Sequence, residues 1–239
     1  MTAKKQLESI LGNQYESEDG DLYWLELLDG MDDDEIANFK RQLPNNALPD
    51  EIEQLLRFSR GFEFYGFEEI RFDAYGAFGI DGLFPRSIEL AGDGFGNYWI
   101  LDIDSFGNWN SVYYVCHDPA VVVKHSEDLR DFIMHLDEFG KNGSGTHLDI
   151  IHEKTVFEIW EGNLGMLETN DVNFNFDIVD GLPEIFIVAD LINKPTNTGF
   201  SWAKHHINPK IIRPTDEPLW IIEKKIKQSL FARLFDRNK

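Results

Sequence analysis

The chain has 239 residues and a formal charge of −21, from 43 acidic and 22 basic side chains. Hydrophobic residues make up 42%, with 19 Phe and 6 Trp, which argues against a disordered chain; the acidic field repels phosphates and argues against direct nucleic-acid binding. A single cysteine, Cys116, excludes a disulfide framework and a thiolate zinc site, and no apolar run approaches the roughly 18 residues of a membrane span.

The opening residues lack the continuous apolar segment of a signal peptide, so a cytoplasmic location is expected. The charge is uneven: residues 1–142 hold 29 acids and 11 bases, whereas residues 204–239 hold 4 acids and 9 bases. Asp32 is placed to cap a helix running through Phe39 and Leu43, with Asp33, Asp34 and Glu35 in its first turn. Leu48 and Pro49 then lead into a second helix whose Ile52, Leu55 and Leu56 share one face, with Gly61 as its stop.

The middle of the chain reads as strand and turn. Ile70 and Phe72 alternate within an aromatic-rich stretch. Gly92, Gly94 and Gly96 mark a turn before a strand over 97–104; a second strand follows over 111–118, Pro119 breaks it, and a third covers 120–124. Strands so close in sequence pair antiparallel, because a parallel crossover needs a dozen or more residues. Ser126 is expected to cap a helix carrying Leu129, Phe132, Ile133 and Leu136 as an apolar stripe. The segment GKNGSG at 140–145 suits a linker, which separates a domain over 1–140 from an extension or small second domain over 146–239. In the extension, 147–161 has helical spacing, 174–179 and 184–192 read as strands, and 217–235 reads as a basic amphipathic helix with Trp220, Ile226, Leu230 and Leu234 inward.

No enzymatic signature survives inspection. The run GDGFGN at 92–97 lacks the following helix and the Lys-Ser/Thr of a phosphate loop, so it reads as a hairpin turn. Asp93, Asp102 and Asp104 could hold a hard cation through oxygen, but their spacing is not that of an EF-hand; alternation puts Asp102 and Asp104 on one sheet face, either solvated or touching a basic partner. The seven histidines follow no ligand spacing, Cys116 sits in an apolar strand, and G-x-S-x-G is absent. Neither a metal nor a cofactor is expected. Trp99, Trp109, Tyr113 and Tyr114 serve the core or anchor an interface.

The order of these features resembles the SUKH superfamily, which includes fungal cell-wall-assembly regulators and many bacterial immunity proteins. The resemblance rests on Leu48 and Pro49 leading into an acidic helix, the small-residue stop at 59–61, the Gly-Asp-Gly-Phe-Gly-Asn-Tyr-Trp-Ile-Leu-Asp-Ile run at 92–103, the Val-Tyr-Tyr-Val-Cys-His-Asp strand at 112–118, and Phe132-Ile133 in the closing helix. It implies an α+β fold, with helices packed against a mostly antiparallel sheet and an α/β extension at the C-terminus. It also implies binding rather than catalysis, by an immunity protein that neutralises a basic toxin, such as a nuclease, through an acidic surface. The alternative is a regulatory scaffold of cell-wall or signalling pathways. Glu68, Glu69, Asp73, Asp93, Asp102, Asp104 and Trp109 are the candidate partner contacts, chosen for acidity and turn exposure.

Overall fold

The computed structural model describes residues 1–224, apart from 18, 68, 163, 164, 168, 170, 171 and 205–207. The fold is α+β. It begins with α1 (Ala3–Ile10), β1 (Tyr15–Glu16), β2 (Leu22–Tyr23), β3 (Glu26–Leu27), α2 (Asp33–Lys40) and α3 (Asp50–Phe58). There follow β4 (Gly61–Glu63), β5 (Ile70–Arg71), β6 (Ser87–Gly92), β7 (Tyr98–Ile103), β8 (Trp109–His117), β9 (Ala120–Ser126) and α4 (Leu129–Asn142). The remaining elements are α5 (Val156–Gly162), β10 (Met166–Leu167), β11 (Phe186–Asp190), β12 (Gly199–Ser201), β13 (Ile211–Ile212) and β14 (Leu219–Glu223).

The helices begin where local chemistry starts them. Asp32 caps α2 in a complete capping box with Glu35, which satisfies two otherwise orphaned backbone donors. Pro49 precedes α3, whose first turn carries Asp50, Glu51 and Glu53 against the positive end of the helix dipole. Its buried Ile52, Leu55 and Leu56 each contribute roughly 1.5–3 kcal/mol by leaving water. Helix α3 ends at Ser59, and Gly61 opens β4 instead of stopping the helix. The cap of α4 is Asp128, whose side chain accepts from the Asp131 N–H; Ser126, the expected cap, is the last residue of β9. Gly140 lies inside α4, where an added Cβ would meet the Tyr15 ring at 2.5 Å.

A five-stranded antiparallel sheet, ordered β12-β9-β8-β7-β6, forms the centre. One face, with Trp99, Leu101, Val112, Tyr114, Cys116, Val121 and Val123, joins the core packed by α1 to α5. The other face, with Ile100, Tyr113, Val115 and Val122, packs on Ile187, Ala189, Trp220 and Ile222 of the four-stranded sheet β10-β11-β14-β13. Burial on both faces explains why these strands read as nearly continuous apolar runs. A third sheet, β3-β4-β5, and the β1-β2 pair flank this body. The C-terminal segment differs from the sequence reading. Residues 176–178 form a 3-10 turn where a strand was expected. Leu219–Glu223 is strand β14, with Trp220 fully buried and its indole donating to Leu83 O at 2.7 Å; residues 225–235 of the expected helix lie outside the described residues.

Two-sided burial decides the fate of Asp102. It faces the second core at 2% exposure, and Arg213 reaches in to grip both of its carboxylate oxygens. The Arg213 guanidinium lies 5.2 Å from the Trp220 ring and 5.9 Å from the Phe84 ring, and it also donates to the Asp216 carbonyl at 2.8 Å. Burial works against its charge, but the hydrogen bonds and charge of Asp102 outweigh that and hold it protonated above its ordinary range. Asp102 is therefore an interior ion pair, and the expectation that it shares a solvated face with Asp104 is corrected. On the helical side, His125, His135 and His147 converge, with ring centroids 4.4 Å apart for His125–His147 and His135–His147 and 5.3 Å for His125–His135.

Two outcomes follow from these buried groups. Asp102→Ala leaves Arg213 charged and unpaired, and lowers stability by about 3–5 kcal/mol in urea denaturation, whereas the double variant Asp102→Leu, Arg213→Met recovers most of that loss. For the histidines, burial first and the neighbouring imidazoles next push His125 well below its ordinary range, and burial likewise lowers His147. The surroundings supply little to hold a proton: Ser126 Oγ contacts His125, Asn197 contacts His147, and Glu138 lies 3.6 Å from His135, with Asp131 acting on His147 electrostatically. The unfolded chain takes up protons as pH falls through about 6.5 and the folded one resists, so stability is full above that pH and declines below it. The thermal midpoint should fall between about pH 7 and about pH 5, and His125→Gln should flatten that slope; an unchanged slope would contradict the assignment to this cluster.

Candidate functional site

The site is an aromatic and acidic face built around Phe67, in the segment that joins β4 to β5. Two concavities meet there. The first, about 400 Å³, lies between β3 and β4 and is lined by Tyr23, Trp24, Glu26, Glu63, Tyr65 and Phe67, among others. The second, about 510 Å³, is lined by Phe67, Asp93, Phe95, Trp99, Tyr114 and Phe139, together with Leu148, Asp149, Ile151, His152 and Glu153.

The rings form a connected set. Tyr23 packs on Tyr65 and Phe64 at 5.2 and 5.6 Å, and Phe67 packs on Trp99 and Phe139 at 5.0 and 6.0 Å. Most of each inner ring is buried, but Trp24 and Tyr65 are 54% and 45% exposed and Phe95 is 81% exposed. Large apolar side chains left in water on one side of a molecule mark a contact surface.

The turn carrying Phe95 is rigid for a local reason. Asp93 Oδ1 accepts the N–H groups of Phe95 and Asn97 at 2.8 and 3.1 Å, while Oδ2 accepts the Asn97 amide at 2.6 Å and the Tyr114 hydroxyl at 3.2 Å. Partial burial works against the Asp93 carboxylate, but these hydrogen bonds prevail and hold it below its ordinary range. Gly94 and Gly96 take φ of 75° and 87°, which only glycine adopts without strain. Asp104, Phe106 and Asn108 repeat the arrangement at the β7–β8 turn, with Asp104 Oδ1 accepting from Phe106 and Asn108 at 2.9 Å each. Both turns use the spacing Asp-x-Phe-Gly-Asn to fold a side-chain cap over a hairpin and present its phenylalanine outward; Phe106 is 69% exposed. The reading of 92–97 as a hairpin turn and not a phosphate loop agrees with this geometry.

The candidate contacts divide by place. Glu69 and Asp93 line the face. Glu68 lies outside the described residues. Asp73 is held by Arg71, whose Nε and Nη2 donate to it at 2.7 and 2.8 Å, with Glu69 on the same guanidinium at 2.8 Å. Asp104 caps the turn at the other end of β7, roughly 20 Å from Asp93 by strand rise, and the half-buried Trp109 packs on the helical core. Asp93, Asp102 and Asp104 thus do not converge on a common ion. Among the described residues, no group of three or more His, Cys, Asp or Glu is placed to hold a metal, and no helix is long and apolar enough to cross a membrane. Cys116 is buried, and burial pushes its thiol up to about 11, which suits a packed side chain and not a nucleophile. Sequence reasoning missed Trp24, Glu26, Glu63 and Tyr65. Their signal was the i, i+2 pairing of Trp with Glu and of Glu with Tyr, which puts each pair on one face of an extended chain.

Residues 30–135 match the sequence model of the SMI1 / KNR4 family (SUKH-1). Comparison with curated proteins and with solved structures gave no match. The matched segment runs from α2 through the first half of α4 and contains the central hairpins, with the capped helix, the Asp-Gly-x-Gly-Asn turn and the apolar strand in that order. This segment, a little under half of the chain, is thus similar to the SUKH-1 family.

Proposed function

We propose that the chain is a non-catalytic protein-binding module, an immunity protein that neutralises a basic bacterial toxin by covering it with the face around Phe67. Domains of this family are generally immunity or regulatory proteins without catalysis. One observation carries the reading furthest: exposed rings and carboxylates line two concavities that share Phe67, on a molecule of charge −21. Exposed aromatic side chains supply contact energy at low entropic cost, and are enriched among the residues that dominate binding. The acidic field adds rate and selectivity: it draws a cationic partner in and repels anionic ones. A nuclease fits this chemistry because its substrate groove is basic, and an acidic surface that fills the groove excludes nucleic acid. In this reading the protein acts in the cytoplasm, with Glu69, Asp93 and Phe95 as contacts.

The test is affinity capture from the native cell with the full chain as bait, at low and then high salt, followed by co-expression of the captured protein with and without the chain. The expected result is one basic toxin, released by salt, whose toxicity the chain suppresses and whose release rate rises in Phe95→Ala. Capture of signalling or wall-assembly proteins, with no protection from any toxin, would favour the scaffold reading.

A further inference from the structure

The antiparallel register of β3 and β4 sets Glu26 directly opposite Glu63. Both are exposed, and among the described residues neither side chain has a hydrogen-bond or ion-pair partner. Like charges directly opposite across a strand pair destabilise the pairing. This short edge thus carries a cost that its own fold does not relieve. The surroundings point to what relieves it. Trp24 and Tyr65 line the same concavity as the two carboxylates, and the intramolecular cation–ring contacts among the described residues involve other rings, those of Phe58, Phe84, Trp160 and Trp220.

We propose that this concavity is a subsite for one arginine side chain of a protein partner, with Glu26 and Glu63 engaging the guanidinium and Trp24 and Tyr65 flanking its plane. The inference rests on the reading that the chain binds a basic protein, and it names the group read. A guanidinium presents five donors in a planar fork, so it can serve two carboxylates while its face lies on a ring. A lysine ammonium is a hydrated point charge and does this less well. The same chain already holds an arginine in this way: Arg213 forks onto Asp102 beside the Phe84 and Trp220 rings. The β3–β4 concavity presents carboxylates and rings of the same kind, open to solvent. Trp24 and Glu26 precede the family-matching segment, so the subsite is a feature of this chain's own N-terminal residues meeting the shared fold.

The test uses the full chain labelled with ¹⁵N and end-blocked Gly-Arg-Gly, with citrulline and lysine counterparts as controls. Arginine should produce saturable shifts in the Trp24 indole and the amides of Glu26 and Glu63, and citrulline, which keeps the shape and loses the charge, should bind at least about tenfold more weakly. Glu63→Gln should weaken the arginine peptide by about tenfold while leaving the thermal midpoint unchanged or raised, because it removes like-charge repulsion; a purely structural glutamate would lower the midpoint. The absence of saturable shifts at these residues, equal binding of citrulline or lysine, or an unaffected titration in Glu63→Gln would each overturn the subsite. If the chain captures its basic partner but the arginine peptide moves none of these resonances, the subsite fails and the protein-binding reading stands. If the peptide binds as described and no basic partner is captured, the subsite stands and the toxin reading fails.

Discussion

The central sheet is buried on both faces, and most of the molecule follows from that. A strand in such a sheet has no solvated side on which to put a charge, so the one carboxylate in β7 had to be matched from within. Arg213 does this from the segment just before β14, on the far side of the second core. The pair ties the family-matching segment to residues well beyond its end. Strand β12 reinforces the tie by pairing with β9 at the sheet edge. Helices cover one face and a second sheet the other, while the hairpin turns and the short flanking sheet present Phe95, Phe106, Trp24 and Tyr65 to water.

This division explains what the sequence revealed and what it concealed. The hairpins were legible because turns such as 93–97 and 104–108 carry glycine at positive φ and the connections between the strands are short. Helix α3 was legible because its apolar spacing and its acidic first turn agree. Asp102 was misread because alternation identifies a face without saying what covers it, and the covering sheet comes from residues far along the chain. Trp220 was read as the inward face of a helix for a related reason: a short apolar run with flanking bases satisfies a helical template as readily as a buried strand. The histidine cluster was invisible because His125, His135 and His147 come from a strand, a helix and a loop.

The candidate site was legible by half. Acidity and the glycine-rich turn drew attention to Asp93 and Glu69, which line the face. Acidity also nominated Asp73 and Asp104, whose carboxylates are engaged by Arg71 and by their own turn. Composition counts charges without showing which of them lack an internal partner, and Glu69 and Asp93 are themselves engaged, by Arg71 and by the Phe95 turn. Glu26 and Glu63 lack such a partner and come together only through strand register, which a sequence with so short a β3 does not announce. The aromatic rings around them matter as much as the charge. Surface carboxylates alone attract any cation weakly and lose that attraction in salt, whereas rings fixed beside them supply area and orientation.

The most direct measurement of the central claim is hydrogen exchange on the full chain, alone and saturated with its captured basic partner. Added protection is expected to concentrate in β3, β4 and the turn at 93–97, with β11 and β14 unchanged because they are already buried. Protection confined to the β10–β14 side, with the face around Phe67 exchanging as in the free chain, would contradict it.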